Sequence, residues 1–390
     1  MRALHLCTSE AWGGLELYAC TLMFELQNAG VQIVAICKRG SKAEAFLRGR
    51  GVEVLHGPGT RLLSLDQIRW VRRLVRDRDI DVVHVHYHRD IWPASLALMR
   101  DPARRLILSI YMGVPAKRDP IHRFIFGRVD AFLTSSKDLN SRLPYLYAAP
   151  PERIHFLPYG RPLAQYRRDE NKRRDIRARH GVKPGDILIG TMVRIDPGKG
   201  VMDFARSFPY IEKNAQSRVV YMIVGEPTRK GLAAPRGSLF EKRSEAYLRE
   251  LQSFISQERL GDRILLVGFQ DDMIGYLSAF DVFVFPSRDE LYSLVVLDAM
   301  GMELPVLAAR AGGNLYQVTD GVNGLLYAVA DSRDLAAKLS RYLLDPVLRR
   351  QHGKTARAGI VQNHDMKQTI SSLLKIYSDR PDMQVRSELN

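Results

Sequence analysis

Two carboxylates, Glu290 and Asp298, flank a predicted helix start and are the residues best placed for chemistry. The run Asp281–Phe285 predicts a buried strand before them, so Glu290 falls in the turn after the strand and Asp298 about two turns into the next helix. Ligands of open parallel sheets bind at this turn, and free N–H groups at a helix start attract an anion. A nucleotide sugar fits this pattern, because its phosphates lie between hydroxyl groups at both ends. Ordinary surface acids on an amphipathic helix are the alternative.

A second candidate group is cationic and follows the first predicted strand of the second half of the chain. Arg194 and Lys199 flank a Pro-Gly turn in the segment Arg194–Gly200. A guanidinium fork and a lysine ammonium can bind one diphosphate and neutralise the charge that develops as a glycosidic bond breaks. The segment is not a Walker loop, since the Gly-x-x-x-x-Gly-Lys-Ser/Thr pattern is absent. A plain basic turn is the alternative.

Paired glycines, Gly13 and Gly14, follow the first predicted strand and open the first helix. Glycines let backbone N–H groups approach a phosphate or a sugar closely. The spaced three-glycine fingerprint of dinucleotide-binding proteins is missing, which argues against NAD binding here.

Three histidines, His84, His86 and His88, alternate at the end of another predicted strand, and this spacing puts them on one face. Three imidazoles on one face could hold a metal ion. No paired carboxylates with ligand spacing accompany them, so substrate or core hydrogen bonding is favoured, and we expect no metal site.

These groups need a scaffold that brings strand ends and helix starts together, and the sequence predicts one. Short apolar runs alternate with amphipathic stretches, which indicates an α/β chain with doubly wound parallel sheets. The predicted strands are Ala3–Cys7, Val31–Cys37, Val82–Val85, Leu106–Ile110, Ala131–Thr134, Ile187–Val193, Val219–Val224, Ile264–Val267, Val282–Phe285 and Pro305–Ala308. The predicted helices are Leu15–Asn28, Leu65–Arg78, Ile91–Met99, Asp203–Asn214, Glu245–Gln257, Asp272–Ala279, Leu294–Met300 and Met366–Tyr377.

The segment Pro158–Pro162 breaks this alternation, and a charged stretch, Arg167–Arg179, follows it. We therefore expect an N-terminal domain over residues 1–165, a C-terminal domain over 166–365 and a C-terminal segment over 366–390, whose last ten or so residues fray. The helix in that segment needs a partner surface. The stretch Glu226–Phe240, rich in Pro, Gly and basic residues, predicts either a mobile loop near the cleft or a surface insertion.

Composition narrows the class of protein. The chain has 390 residues, 46% of them hydrophobic, which suffices for two domains with cores of their own. Its three cysteines, Cys7, Cys20 and Cys37, lack metal-ligand spacing and indicate buried thiols in a reducing compartment. Neither a signal peptide nor an apolar run long enough for a transmembrane helix is found. We therefore expect a cytoplasmic protein.

The net charge of +15 favours an anionic partner. Four arginines, Arg69, Arg72, Arg73 and Arg76, recur at helical spacing and form one face, and Lys117, Arg118, Arg123 and Arg128 follow in the same half. This face suits either solvent alone or the anionic headgroups of a membrane. Nucleic acid is disfavoured, because no nucleic-acid-binding motif accompanies the basic residues.

Taken together and in this order, the motifs resemble those of the retaining GT-B glycosyltransferases of family 4. Gly13-Gly14-Leu15-Glu16 is similar to the family's N-terminal Gly-Gly-x-Glu loop, and Asp81–His86 to its Asp-Val-Val-His-x-His strand end. Arg194 and Lys199 fall on its diphosphate-binding cations, and Glu290 to Asp298 on its Glu-x7-Glu element. Gly312-Gly313 and Asp320–Leu325 match its later glycine-rich turns.

The resemblance implies two Rossmann-like domains facing a cleft, with the acceptor on the first, the donor on the second and the C-terminal helix packed back on the first. It implies that Glu290 bonds sugar hydroxyls, that Asp298 bonds the ribose and that the cations act in catalysis together with Glu290. It places His84, His86 and Tyr111 near the acceptor or the sugar. The remaining donor-binding residues that it implies are Gly13, Gly14, Gly225, Gly268 and the backbone amides of Ser293, Leu294 and Val295.

Three positions depart from the family pattern. Asp298 replaces a Glu, Tyr111 stands where many members have a His, and Tyr316 stands where a Glu is common. We therefore expect a metal-independent retaining glycosyltransferase that uses a UDP- or GDP-sugar and needs no cofactor, acting on a glycan or lipid-linked acceptor in bacterial surface polysaccharide or lipopolysaccharide assembly. The alternatives are a catalytically silent binding subunit and a sugar-nucleotide epimerase.

Overall fold

The computed structural model describes residues 1–58, 64–113, 115–211, 217–229, 240–288 and 290–379. The chain divides into two compact units. The first comprises Met1–Gly160 and the C-terminal segment that starts at Met366, and the second is Arg161–Asp365. The predicted loop 226–240, the end of the predicted helix Asp203–Asn214 and the predicted frayed end lie wholly or partly outside the described residues.

The first unit contains a parallel sheet of seven strands with the order β3-β2-β1-β4-β5-β6-β7. Its strands are β1 (Arg2–Cys7), β2 (Gln32–Cys37), β3 (Glu53–Leu55), β4 (Val82–Val85), β5 (Arg105–Ile110), β6 (Ala131–Thr134) and β7 (Ile154–Phe156). Its helices are α1 (Gly14–Asn28), α2 (Lys42–Arg48), α3 (Leu65–Asp77), α4 (Ile91–Leu98), α5 (Pro120–Gly127), α6 (Lys137–Tyr147) and α15 (Met366–Ser378). Strands β1, β4, β5 and β6 are buried along almost their whole length, as expected of parallel strands covered on both faces.

The second unit contains a parallel sheet of six strands with the order β10-β9-β8-β11-β12-β13. Its strands are β8 (Ile187–Met192), β9 (Val219–Val224), β10 (Ile264–Gly268), β11 (Val282–Phe285), β12 (Val306–Ala309) and β13 (Leu325–Tyr327). Its helices are α7 (Glu170–Arg179), α8 (Val201–Ile211), α9 (Lys242–Gln257), α10 (Met273–Ala279), α11 (Leu294–Gly301), α12 (Asn314–Gln317), α13 (Ser332–Leu344) and α14 (Pro346–Asn363).

The first boundary lies at Gly160 rather than at the predicted residue 165, because Arg161 is bonded into the second unit. Its N–H donates to the carbonyl of His364 at 2.7 Å, and its guanidinium pairs with Asp298. The chain enters the first unit again at Met366, and helix α15 packs on α1. On α15, Ile370, Leu373 and Tyr377 are buried, although Leu374 is only partly covered.

Candidate active site

Each sheet reverses its strand order at one point, and the candidate residues follow the strands at those points. In the second unit the reversal lies between β8 and β11. The loop after β8 carries Arg194 and Lys199, and the loop after β11 carries Glu290. In the first unit the reversal lies between β1 and β4, where the paired glycines and the histidines follow or end the strands. The crevice beside such a reversal is the usual ligand site of open α/β sheets.

Hydrogen bonds hold three loops of the second unit together. The N–H of Arg288 donates to the carbonyl of Gly198 at 3.0 Å and joins the loops after β11 and β8. The N–H of Gly313 donates to the carbonyl of Glu290 at 2.6 Å and joins the loops after β12 and β11. The Arg288 guanidinium also binds both carboxylate oxygens of Asp203 on α8, at 2.6 to 3.0 Å. The loops therefore form one connected platform at the carboxyl ends of the strands.

Lys199 and Glu290 form an ion pair on this platform. The hydroxyl of Ser287 donates to the same carboxylate oxygen that Lys199 contacts, Oε1 of Glu290, at 3.1 Å. The two charged side chains are 18% and 23% exposed, so a ligand can reach both. An anionic group that binds Lys199 would compete with Glu290 and free its carboxylate for hydroxyl groups. Ser287 was not among the predicted residues, because a single serine in a turn carries no distinguishing pattern.

Arg194 is the more accessible cation of the site, with a side chain that is 59% exposed. Its Nη1 donates to the hydroxyl of Thr228 at 3.0 Å. That hydroxyl in turn donates to Asp196 at 2.6 Å, and Asp196 lies 3.7 Å from Nε of Arg194. These contacts orient the guanidinium but leave most of it free to bind an anion.

The start of α11 presents fewer free amides than predicted. The hydroxyl of Ser293 accepts a hydrogen bond from the N–H of Val296, as an N-cap does. The Ser293 N–H donates to Oε1 of Gln317 at 2.8 Å, and Nε2 of Gln317 donates back to the Ser293 carbonyl at 2.7 Å. The Ser293 amide is therefore already bonded, which contradicts its predicted role towards the donor. Leu294 and Val295 open the helix, where N–H groups lack an intrahelical acceptor.

Asp298 does not occupy a position from which it can bind ribose in this structure. Its side chain is only 4% exposed. Arg161 Nε lies 2.8 Å from Oδ1 and Arg161 Nη2 donates to Oδ2 at 3.0 Å, while the Tyr166 hydroxyl donates to Oδ1 at 2.6 Å. Burial raises the pKa of Asp298, and Arg161 opposes that shift. Asp298 thus joins α11 to the first residues of the unit.

Glycines in the second unit serve close packing. Gly200 has φ +65°, and a Cβ there would lie 2.0 Å from the carbonyl oxygen of Pro286. Gly225 has φ +144°, and its Cβ would lie 1.9 Å from the carbonyl oxygen of Val193. The Gly225 N–H donates to the carbonyl of Gly268 at 2.8 Å. The amide of Gly225 and the carbonyl of Gly268 are therefore already bonded to each other, and the donor-binding role of these two glycines stays a prediction.

In the first unit, Gly13 is the N-cap of α1 and Gly14 is its first residue. The Gly13 N–H donates to Oε2 of Glu16 at 3.0 Å, and the Ser9 hydroxyl donates to Oε1 of Glu16 at 2.9 Å. The Gly13 amide is thus bonded to the Glu16 carboxylate, as in one half of a capping box, and is not free for a phosphate, contrary to the prediction. Gly14 is exposed at the helix start.

Two of the three predicted histidines come together below Tyr111. His84 is fully buried, with Nδ1 2.7 Å from the Tyr377 hydroxyl and Nε2 2.8 Å from the Ser109 hydroxyl. His86 Nδ1 lies 2.7 Å from the Tyr111 hydroxyl, and the two rings stack at 5.9 Å. Tyr111 is half-buried and is the member of this group nearest solvent. His84 therefore cannot touch an acceptor directly, because it lies one layer below the surface.

His5 on β1 completes this group and was missed, because a lone histidine in an apolar strand gives no signal. Its Nδ1 lies 2.9 Å from Nε2 of His86. The ring nitrogens of His5, His84 and His86 lie within 4.8 Å of one another, so the three could hold a metal ion. Burial lowers the pKa of all three, that of His5 to about 3, which keeps them neutral. His88 instead begins a short 3-10 helix and lies 2.9 Å from the Tyr147 hydroxyl.

The basic surface of the first unit is smaller than predicted. Helix α3 exposes the four arginines, Arg69, Arg72, Arg73 and Arg76, and buries Val71 and Val75. Arg128 is buried, because its guanidinium binds Asp130 and three main-chain carbonyls. Helix α5 exposes Ile121 and Phe124 beside Arg118 and Arg123. Among the described residues, no helix is both long and apolar enough to cross a membrane.

Both units match family models of sugar-transferring enzymes. Residues 13–160 match the model described as "Glycosyl transferase 4-like domain", and residues 172–359 match "Glycosyl transferases group 1". This chain belongs to the family 4 glycosyltransferases. The resemblance seen in the motifs is thereby confirmed, and the glycosyltransferase is an enzyme of that class.

The relatives and solved structures agree with this family. The glycosyltransferase is 28% identical to the D-inositol 3-phosphate glycosyltransferase of Saccharomonospora viridis, over 94% of this chain and 89% of the relative. Three further relatives with that description align over 51% to 60% of their own length, and three others over 77% to 86%. HepE from Anabaena, solved with UDP and glucose, has a TM-score of 0.80 at 19% identity and covers 97% of this chain and 100% of its own. WaaG, a glycosyltransferase involved in lipopolysaccharide biosynthesis, has a TM-score of 0.64 at 17% identity, with 97% and 99% covered. The predicted GT-B fold class is confirmed.

Proposed function

We propose that this enzyme is a retaining glycosyltransferase that moves a sugar from a UDP- or GDP-sugar to a hydroxyl of a glycan or glycolipid, without a metal ion. The observation that carries the proposal is the accessible Lys199–Glu290 pair beside Arg194 at the strand reversal of the second unit. A nucleotide sugar offers both a diphosphate for the cations and hydroxyls for the carboxylate.

Donor binding would exchange the partners of this pair. The diphosphate takes Lys199 and Arg194, whose two positive charges neutralise the leaving group in place of a metal ion. The N–H groups of Leu294 and Val295 add hydrogen bonds at the helix start. Glu290, freed from Lys199 but still held by Ser287, accepts hydrogen bonds from the sugar hydroxyls.

The transfer step needs no protein base. The bond between the anomeric carbon and the phosphate oxygen breaks, and the departing phosphate takes the proton of the acceptor hydroxyl. The acceptor oxygen bonds the same face of the anomeric carbon, so the configuration is retained. Tyr111, the accessible end of the histidine group in the first unit, is the residue that we assign to the vicinity of the acceptor or the sugar.

Thermal stabilisation by nucleotides tests the donor site directly. A ligand that binds only the folded state raises the melting temperature according to its affinity and concentration. We expect UDP or GDP, with EDTA present, to stabilise the wild type but not Lys199→Ala. Lys172→Ala is a suitable control, because Lys172 makes only a half-exposed surface pair in the same unit. A shift that persists in Lys199→Ala, or one that EDTA abolishes, would contradict the proposal.

Transfer assays then test catalysis. We expect Lys199→Ala and Arg194→Ala each to reduce turnover about a hundredfold or more, as when a charge partner of the transition state is lost. Near-normal turnover in both variants would refute their assigned role. Nucleotide binding with neither transfer nor donor hydrolysis would favour a silent binding subunit, and a change in the sugar without any acceptor would indicate an epimerase.

The acceptor that we favour is lipid-linked, in bacterial surface polysaccharide or lipopolysaccharide assembly on the cytoplasmic face of the membrane. The side chains of Ile121 and Phe124, 63% and 57% exposed, lie close in sequence to Arg118 and Arg123 and suit insertion among anionic headgroups. We expect sedimentation with anionic vesicles, lost when Ile121 and Phe124 are both changed to Glu. If that variant sediments with the vesicles as well as the wild type, Ile121 and Phe124 do not contact the membrane. The arginines of α3 would then be the remaining candidate for such a contact.

A small phosphorylated acceptor is the second candidate, favoured by the name of the relatives as D-inositol 3-phosphate glycosyltransferases. Its phosphate would use the same positive surface as an anionic lipid. Parallel assays with inositol 3-phosphate and with a lipid-linked glycan separate the two acceptors, because only one should accept sugar at a rate that saturates with concentration.

A further inference from the structure

A group of six buried or half-buried side chains in the first unit forms a continuous ring of hydrogen bonds. Its members are Tyr111, His86, His5, Tyr377, His84 and Ser109, in that order. The contacts measure 2.7 Å from Tyr111 to His86, 2.9 Å from His86 to His5, 3.5 Å from His5 to Tyr377, 2.7 Å from Tyr377 to His84 and 2.8 Å from His84 to Ser109. A hydrogen bond between Ser109 and Tyr111 closes the ring. The ring links β1, β4 and β5 to the C-terminal helix α15.

The donors and acceptors of this ring must all run in one direction. A neutral imidazole has one N–H and one lone pair, and burial keeps these three imidazoles neutral. Each histidine uses both ring nitrogens within the ring. If Nε2 of His84 donates to Ser109, Nδ1 must accept from Tyr377. The same reasoning then gives His5 and His86 the Nε2–H form as well, and the opposite direction gives all three the Nδ1–H form.

Both directions give Tyr111 the same role towards a ligand. In the Nε2–H direction Ser109 donates to the Tyr111 oxygen, and Tyr111 gives its own proton to Nδ1 of His86. In the Nδ1–H direction His86 donates to the Tyr111 oxygen, and Tyr111 gives its own proton to Ser109. Towards a ligand, Tyr111 consequently offers a lone pair and accepts a hydrogen bond from a hydroxyl group.

We propose that Tyr377, on the C-terminal helix, is a positioning residue that fixes Tyr111 as an acceptor for a ligand hydroxyl through the ring of hydrogen bonds. Tyr377 is 2% exposed and touches His84 and His5, so it acts on the ligand only through other residues. Its hydroxyl is the one link of the ring that comes from α15, and removing it opens the ring without disturbing the other five members. The ligand hydroxyl would belong to the acceptor or the sugar, so this part rests on the proposed function.

A metal ion held by His5, His84 and His86 is the competing interpretation. It would need a lone pair from each histidine directed to one point. In the ring, each lone pair is already directed at a neighbouring N–H or O–H group. The closed set of hydrogen bonds therefore favours the ring over a metal site.

Nitrogen-15 NMR of histidine-labelled protein tests the ring without any substrate. We expect His5, His84 and His86, assigned by single substitutions, to share one neutral form, either all Nε2–H or all Nδ1–H. In Tyr377→Phe, which keeps the aromatic ring, we expect the nitrogen shifts of His86 to change although Tyr377 does not touch it. Different tautomers among the three wild-type histidines, unchanged His86 shifts, or a metal ion retained after purification would overturn the proposal.

Kinetics provide the second measurement. We expect Tyr377→Phe to lower kcat about tenfold with little change in the KM for the donor, as for loss of one hydrogen bond in the transition state. Tyr342→Phe is the matched control, because the Tyr342 hydroxyl also contacts a buried histidine, His352, at 2.8 Å but lies in the core of the second unit. Equal losses in both variants would refute a positioning role. If the wild type transfers no sugar, the proposed function fails while the NMR result still decides the ring.

Discussion

Replacing Asp298 by Asn separates a structural role of this carboxylate from a role in binding ribose. The exchange keeps the size of the side chain and leaves one oxygen that can accept from Tyr166. It places an NH₂ group beside the guanidinium of Arg161, which is then buried without its carboxylate partner. The effect should fall on stability rather than on affinity for the nucleotide.

The expected magnitude follows from burial. The Arg161 and Asp298 side chains are 9% and 4% exposed. Removing one partner of a buried pair costs about 3–5 kcal/mol. A unit of about 200 residues loses roughly 2–4 °C of melting temperature per kcal/mol. Asp298→Asn should therefore melt on the order of 10 °C lower than the wild type.

Two further variants make the comparison sharp. Glu290→Gln should change the free energy of unfolding by only about 1 kcal/mol, because Lys199 remains partly solvated, while turnover falls about a hundredfold. Glu250→Gln, which removes half of an exposed pair with Arg206, should change neither. Calorimetry with and without UDP or GDP provides the readout. If Asp298→Asn melts within about 2 °C of the wild type but loses stabilisation by the nucleotide, Asp298 binds the donor and the structural reasoning is wrong.

Three further outcomes are expected. Gly200→Ala should lower the melting temperature strongly, because the added Cβ would meet a backbone oxygen. Gly198→Ala is the control: Gly198 has open space around it, so the change in unfolding free energy should be less than about 0.5 kcal/mol. Equal losses of stability in the two variants would contradict this prediction. Burial raises the pKa of Asp90 from 3.8 to about 6. The wild type should therefore lose about 2 kcal/mol of stability relative to Asp90→Asn as the pH rises from 4 to 7, and parallel stability profiles would refute the shift. Burial lowers the pKa of His5 from 6.5 to about 3. Acidification from pH 7 to 5 should therefore lower the free energy of unfolding of the wild type by about 2 kcal/mol, a loss that His5→Gln should not show. Chemical denaturation at each pH measures this difference.

Many strands and helices were predictable because their patterns are local, although the long helices α13 and α14 were missed. Strands such as Val82–Val85 and Val219–Val224 are apolar throughout, and the observed bounds equal the predicted ones. The strands β3, β7 and β13 were missed, since each has three residues and too little sequence to show a period. The charged stretch 167–179 turned out to contain helix α7, which Asp169 caps and which buries Ile176 and Arg177.

The cationic turn and Glu290 were predictable for a different reason. Each follows a recognisable strand, and parallel strands bring such turns to one edge of the sheet. The partners of Asp298, Ser293 and His84 were not predictable, because they lie far away in sequence. Asp298 meets a residue 137 positions earlier, and His84 meets one 293 positions later. No local period or spacing records such a pairing, so the sequence could show which groups carry charge but not which of them are already occupied.

The return of the chain to the first unit also bears on the order in which the protein can fold during synthesis. Arg161–Asp365 is continuous and complete before α15 leaves the ribosome, whereas the first unit lacks Tyr377 until then. Until that moment the buried imidazoles of His5 and His84 have no hydroxyl partner from α15. The second unit can therefore be completed before the first, although most of the first unit is encoded earlier.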